Sequence, residues 1–407
     1  MRGRALCRLR WGACEVGQDS SRPNTGQRIV LICQMDGFAN GIRPVELARF
    51  LRDRGHEVQI VDTYLLSRAS PQAGTLRSLL PRSQPAGYAL YAVEAIGKVT
   101  RRLGARRRLS FALLLADYSL RRRILRSSLS LADVDLLICE TPYDSGALLD
   151  AGSVLTWYDC PTPWADELLY ENRLTPRQHR RLRRLESNVF EAVDYLSFHW
   201  DSYAGYAKKY YGITGHNMVT MNWGCRPSKD RAHHAAPARV IYLGSLSSRF
   251  IDLPLLARLS RAYPHLDVYG SPPPDPSLGL RYLGYASPGI LRDYQFGLIT
   301  CTNDPLRRDG FSAKHLEYLA AGLPVLVPAW RRRAADLGGS LPYEEESFLG
   351  VVADHSGKQA WQGASDDAFA QAQRLRWERT LEPLESVLVS RNKDMSAEGG
   401  SGSDVIH

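Results

Sequence analysis

Apolar residues along the chain fall into short, solid runs separated by stretches of helical spacing. Ile29–Cys33 is a run suited to a buried strand. A loop, Gln34–Gly41, follows, and then Val45, Leu47, Ala48 and Leu51 recur on or near one helical face up to Gly55. Val58–Val61 reads as the next strand. Strand, loop, helix, glycine stop and strand form a βαβ unit, and a helix-length crossover returns the chain in the same direction, so the sheet is parallel. Runs at Leu136–Cys139, Val154–Tyr158 and Tyr195–Phe198 extend this sheet to about Pro227. Ser228–Arg239 (SKDRAHHAAPAR) is polar, charged and proline-containing, which suits an interdomain linker. The alternation then starts afresh with Val240–Leu243, Leu266–Tyr269, Phe296–Cys301 and Val325–Val327. The pattern predicts an α/β protein with two Rossmann-like, doubly wound parallel-sheet domains, residues 28–227 and 240–392, facing across a cleft. Residues 1–27 read as a disordered basic extension and 393–407 as a disordered tail.

Length agrees: 407 residues suit two domains rather than one. With 44% hydrophobic and 23% charged residues, the composition is globular. Lys and Arg total 52 against 43 Asp and Glu, a net +9 that fits an acidic ligand, a nucleic acid or an anionic membrane without choosing among them. Seven cysteines without CxxC or CxxH spacing suggest neither a disulfide framework nor a zinc site, and a reducing compartment follows. The apolar stretch Leu109–Ala116 falls far short of the ~20 residues that span a bilayer. The Arg-rich first 27 residues lack the apolar core of a signal peptide, so a cytoplasmic location is expected.

The most informative segment is Asp309–Val327, DGFSAKHLEYLAAGLPVLV. Ser312 fits an N-cap, Ala313–Ala321 favours helix, and Gly322 and Pro324 hand over to a buried strand. Lys314 and Glu317, three apart, share one face near the first turn. Free N–H groups and a Lys suit a phosphate, while a carboxylate one turn deeper suits a pair of hydroxyls. An ordinary surface ion pair has the same spacing.

This run resembles the nucleotide-binding segment of GT-B glycosyltransferases, in which K-x-x-E-Y-x-A-x-G-x-P-V recurs. Tyr242–Leu256 (YLGSLSSRFIDLPLL) is similar to the opening strand and loop of the same domain. Asn222-Trp223-Gly224, the turn Leu283–Tyr285, and Trp377 in a final helix that crosses back onto the first domain also fit. The likeness covers most of Val240–Leu384 and is similar to glycosyltransferase family 4 and to xanthan-type glucuronosyltransferases. It implies a nucleoside-diphosphate sugar as co-substrate, UDP- or GDP-linked, with no other cofactor. Glu317 would bind the ribose, Lys314 and the backbone at Phe311, Ser312 and Ala313 the pyrophosphate, and Gly244 and Arg249 would lie near the donor. The family-4 pattern has a second Glu where Asp309 stands, a shorter carboxylate. The acceptor would be a glycan or a lipid-linked glycan of cell-surface polysaccharide or glycoconjugate synthesis. A nucleotide-sugar epimerase, or a basic membrane- or nucleic-acid-binding protein on a degenerate scaffold, are the alternatives.

An inverting transfer needs a general base on the acceptor hydroxyl. Asp159, after the strand Val154–Tyr158, is the preferred candidate, although related enzymes often carry a carboxylate three positions later, where Thr162 stands. Asp36, in the first βα loop, and Glu140, after Leu136–Cys139, are the others; each also fits a capping or solvated carboxylate. No HEP-like histidine is found, which leaves the anomeric outcome open.

Other signals are set aside. Asp133-Val134-Asp135 spells DxD but precedes a strand, so no metal is expected. His233-His234 reads as solvated, and His199 and His216 as isolated structural residues. Cys33, Cys139 and Cys301 sit in buried-strand patterns. Lys98–Arg126 holds ten basic residues and the single acid Asp117 around the apolar stretch Leu109–Ala116. It reads either as a peripheral contact to an anionic membrane or as a core helix with a solvated basic face. No motif or aromatic-interleaved patch points to nucleic acid.

Overall fold

The computed structural model describes residues 26–34, 42–63, 107–214, 218–310 and 312–399, with the single positions 92 and 96. Two wholly parallel sheets organise the chain. The first has the order β2–β1–β3–β4–β5–β6, with β1 Arg28–Cys33, β2 Glu57–Asp62, β3 Leu136–Cys139, β4 Leu155–Cys160, β5 Tyr195–Phe198 and β6 Met218–Thr220. The second runs β11–β10–β9–β7–β8, with β7 Val240–Leu243, β8 Leu266–Tyr269, β9 Phe296–Leu298, β10 Val325–Pro328 and β11 Ser340–Tyr343. The α/β expectation therefore holds, with β6 and β11 as edge strands that the apolar pattern does not reveal.

Strand alternation in β1 supplies both core faces. Ile29 and Leu31 pack with Leu47 and Leu51 of α1 (Ile42–Arg52), while Val30 and Ile32 face the side of Phe190 and Tyr206. The latter two belong to α4 (Pro176–Ala192) and α5 (Asp201–Tyr211), which follow α2 (Arg107–Ser128) and α3 (Trp164–Tyr170). In the second sheet α6 (Leu253–Ala262), α7 (Pro305–Asp309), α8 (Ala313–Ala320), α9 (Arg332–Ala335), α10 (Phe348–His355) and α11 (Lys358–Arg374) complete the layers. Strand order reverses between β1 and β3 and again between β7 and β9, so in each sheet the loops at the carboxyl ends of these strands splay apart and leave a crevice.

The last described helices return to the first sheet. Trp377 of α12 (Trp377–Thr380) and Leu381, Leu384 and Leu388, the last two on α13 (Glu382–Gly399), join the core of α1, β1 and β3. His56 Nε2 lies 3.2 Å from Glu385 on the same helix. The crossover anticipated for Trp377 is present. Helix α13 continues to Gly399 rather than giving way to a tail at 393, because Asn392–Glu398 consists largely of helix formers up to the Gly pair.

A fully buried ion pair ties these parts together. Arg43 of α1 grips Asp159 through Nε (2.6 Å) and Nη2 (3.0 Å), and both side chains are 0% exposed. Arg43 also donates to the carbonyls of Met221 and Asn222 at 2.9 and 3.0 Å, and lies 6.0 and 5.9 Å from the rings of Trp223 and Trp377. Ser197 Oγ, itself a hydrogen-bond acceptor from Trp157 Nε1, donates to Asp159 Oδ1 at 2.7 Å. The strand runs two residues further than its apolar pattern suggests. Asp159 is thus inside β4, in register with Ser197, rather than in a loop at the cleft.

The described part of the basic segment is mostly committed to the core. Phe111 and Tyr118 of α2, with Leu114 and Leu115 beside them, pack on Trp164, Leu168 and Leu182. Arg121 pairs with Asp117 and Asp144, and Arg122 with Asp150. Arg123 and Arg126 are exposed, and the side chains from Lys98 to Arg108 lie outside the description. Asp133 and Asp135 both bind Arg28, and Asp135 stands at the entry to β3, opposite the crevice, so the DxD is a strand entry. Cys33, Cys139 and Cys301 are buried as expected. His233 is exposed as expected, whereas His234 is half-buried with its ring 2.9 Å from the Ser356 carbonyl. Among the described residues no helix is long and apolar enough to cross a membrane.

Asp159→Ala leaves Arg43 as an uncompensated buried charge, and a loss of about 3–5 kcal/mol in urea unfolding is expected. A loss below about 1 kcal/mol would contradict the structural role given to this pair.

Candidate functional site

The crevices of the two sheets open toward each other. Between them lies a cavity of 480 Å³, walled on one side by residues that follow strands of the first sheet: Gln34 after β1, Glu140–Tyr143 after β3, Pro161 and Thr162 after β4, His199 after β5. Ala313 and Arg307 contribute from the second half. A 260 Å³ cavity beside it is lined by Ser245, Ser248, Thr300, Cys301, Lys314 and Arg331, from the β7/β9 switch point and α8. A third, of 360 Å³, holds Glu317, Arg226, Pro288, Arg292 and Trp377. Ala313, the first residue of α8, borders two of the three.

Of the two candidate bases among the described residues, Glu140 lies on the cavity wall. Asp159 is sealed behind it: burial alone raises its pKa, but Arg43 and His199 outweigh that and hold it well below the usual carboxylate range. An acid so strongly stabilised as its anion, with both oxygens engaged, is a poor proton acceptor. Asp36 lies outside the described residues. Glu140 lines the cavity, 3.6 Å from His199 Nε2, and Asp159 Oδ2 lies 3.6 Å from the same nitrogen. Burial and the Asp159 charge push the Glu140 carboxyl well up, against Arg43. Burial and Arg43 push His199 down to about 4, against Asp159. Near neutral pH this gives a neutral imidazole and an anionic Asp159, beside a Glu140 carboxyl shifted toward its protonated form. His199 is the residue that sequence reasoning missed. Its only signal is its place just past β5, next to the end of β4.

Glu140, Asp159 and His199 offer atoms within 4.8 Å of one another, close enough to consider a metal. Arg43 already occupies Asp159 with a permanent positive charge, so this donor set fits a cation poorly.

On the facing side, the helix predicted around Lys314 and Glu317 is present as α8, with Ser312 in the N-cap position but without a capping side-chain bond. Lys314 Nζ donates to Tyr242 Oη at 2.7 Å and lies 4.2 Å from that ring's centroid. Burial pushes it down to about 8, while Glu317 opposes the shift. Glu317 is raised by burial, with Lys314 lowering it. Gly244 makes room for this lysine: at φ +147° a Cβ there would stand 2.3 Å from Lys314 Cε. Gly244 and Lys314, distant in sequence, are thus in contact. Arg249 is exposed on the same loop. Asp309 closes α7, with its side chain outside the description, and Phe311 lies outside the described residues. Arg307 on α7 bridges the halves through Glu167 of α3 at 3.2 Å.

No protein-family model matches the chain, and neither does any curated protein. Solved structures do. The chain is similar to sucrose-phosphate synthase from Thermosynechococcus elongatus (14% identity, TM-score 0.58, 91% of this chain and 100% of that one). Anabaena HepE in complex with UDP-glucose matches at 13% identity and TM-score 0.57, over 89% of this chain and 100% of that one. A UDP-forming α,α-trehalose-phosphate synthase from Burkholderia vietnamiensis matches at 14% and 0.58, over 89% and 96%. The two facing parallel sheets, the crossover of α12 and α13 and these likenesses together show that the chain has the two-domain GT-B fold.

Proposed function

We propose that the protein is a glycosyltransferase that moves a sugar from a nucleoside-diphosphate sugar, UDP-linked, to an acceptor hydroxyl. The observation that carries this is the start of α8, where free backbone N–H groups and Lys314 meet the 260 Å³ cavity at the β7/β9 switch point while Glu317, one turn on, lines the 360 Å³ cavity. The diphosphate sits at that helix end, with Lys314 turning onto it from Tyr242. Glu317 takes the ribose hydroxyls, and the base lies in the 360 Å³ cavity beside Pro288 and Arg292. As the bond to the sugar breaks, charge builds on the leaving diphosphate, and Lys314 and the helix N-terminus stabilise it. HepE, bound to UDP-glucose, and the UDP-forming synthase support uridine as the base. Residues 28–227 form the acceptor domain in this scheme, 240–392 the donor domain, and 228–239 their connection.

The cavity across from α8 favours transfer over epimerisation, which needs the sugar nucleotide alone. His199 Nε2, kept neutral by burial and Arg43, takes the acceptor's proton beside the Glu140 carboxyl, and the imidazolium formed is stabilised by the Asp159 carboxylate. The acceptor is a glycan, free or lipid-linked. Exposed Arg123 and Arg126 on α2 are available to a peripheral membrane surface at the cytoplasmic face.

Calorimetric titration with UDP, GDP, ADP, dTDP and CMP tests the donor assignment. UDP binds at micromolar concentration, and Lys314→Ala and Glu317→Ala each weaken it by tenfold or more, about one charge-assisted hydrogen bond. Because Lys314 is protonated only below about 8, UDP affinity holds near pH 7 and weakens as the pH rises through 8 toward 10. Lys314→Arg removes that decline. No nucleotide binding to the folded protein overturns the donor assignment.

His199→Ala lowers kcat with UDP-glucose and an accepted sugar by about 10²–10⁴-fold and leaves UDP affinity unchanged. In the wild type, kcat/KM falls as the pH drops through about 4, where the imidazole becomes charged. A change in kcat below fivefold excludes this role for His199.

A further inference from the structure

The 480 Å³ cavity collects buried polar atoms that no protein group satisfies. Glu140 Oε2, His199 Nε2, Thr162 Oγ1, Trp164 Nε1 and Arg307 Nε are all buried, belong to residues on this wall and have no partner in good hydrogen-bond geometry, although Asp159, Tyr203 and Tyr143 stand near His199, Thr162 and Trp164. Native proteins leave few such atoms, because each costs about 1–3 kcal/mol when it is neither paired nor hydrated. Five on one wall mark a place where a ligand supplies the missing partners. The set mixes donors that cannot accept, Trp164 Nε1 and Arg307 Nε, with a hydroxyl that does both and a carboxyl oxygen. A molecule that matches it must offer donors and acceptors at close spacing, as a polyol does.

Charge narrows the class. The cations on the wall are Arg173 and Arg307, and each already has an acid beside it: Glu171 at 3.2 Å and Glu167 at 3.2 Å. Neither cation is left over for a phosphate or carboxylate. Aromatic faces complete the picture. Trp223 and Tyr143 are half-buried on the wall, each held edge-on by a buried ring, His199 at 5.0 Å and Trp164 at 5.0 Å. Rings fixed this way offer flat apolar surface beside polar atoms, which suits a molecule with an apolar face and a polar rim.

We propose that this cavity is the acceptor subsite for an uncharged saccharide, its hydroxyls completing Glu140, Thr162, Trp164 and Arg307 and its ring lying on Trp223. The volume falls within the ~300–1,000 Å³ of sites that bury most of a small ligand. The assignment rests on the glycosyl-transfer function and goes beyond it by excluding sugar phosphates and uronic acids as acceptors.

Saturation-transfer difference NMR on the full-length protein with saturating UDP tests it. The probes are methyl glucoside, methyl galactoside, methyl N-acetylglucosaminide and cellobiose against glucose 6-phosphate and glucuronate. Thr162→Val replaces the hydroxyl by a methyl of the same shape, Trp164→Phe removes Nε1 together with the rest of its ring, and UDP affinity by calorimetry reports that each variant is folded. The expected result is transfer to at least one neutral probe, reduced about fivefold or more in both variants, with the charged probes silent. Charged probes that bind as well as the neutral ones overturn the proposal, as does silence from every neutral probe or an unchanged signal in the variants. In each of those cases retained UDP binding leaves the donor assignment standing; loss of UDP binding in the wild type overturns both.

Discussion

The arrangement of the cleft depends on one buried ion pair, Arg43 with Asp159. Taking two charges fully out of water is expensive, and the cost is met only by near-complete pairing and hydrogen bonding. Here the guanidinium finds both carboxylate oxygens and two carbonyls, and the carboxylate also takes Ser197. Those contacts join α1, β4, β5 and the segment after β6, and the flanking Trp223 and Trp377 bring in the crossover helix. The same pair sets the electrostatics of the cavity. Asp159 holds a negative charge just behind His199 and Glu140, and Arg43 helps keep that imidazole neutral.

The two halves contribute opposite chemistry. The second half has a helix start, a lysine and a carboxylate at a switch point, a set suited to an anionic, hydroxyl-bearing ligand. The first has paired charges, aromatic surface and unsatisfied polar atoms, suited to a neutral polyol. Arg307, which belongs to the second half but pairs with Glu167 of the first, sits where the two meet.

Much of this is legible in sequence where the determinant is local. The central strands appear as solid apolar runs because both faces are covered. The place of Lys314 and Glu317 on the first turns of one helix follows from their spacing, and the crossover from a single tryptophan. What escapes is what long-range packing decides. The edge strand β6 is short and half-exposed, so its apolar content is weak. Asp159 looks like a loop carboxylate because an acid ends the apolar run, yet Arg43, 116 residues away, lets the strand continue through it. His199 has no partner at any telling spacing; only strand order puts it beside Glu140. The contact of Gly244 with Lys314 likewise needs the sheet to be assembled.

The central claim is that the donor nucleotide binds at the start of α8, facing an acceptor cavity on the first sheet. Hydrogen-exchange mass spectrometry with and without UDP tests it most directly, since it maps the contact along the chain. Slowed exchange is expected in the β7 loop around Gly244–Ser248, around Pro288–Arg292 and across Ala313–Glu317, with β4 and β5 unchanged. Protection confined to the first sheet, or absent from the α8 segment when UDP is bound, would contradict the account.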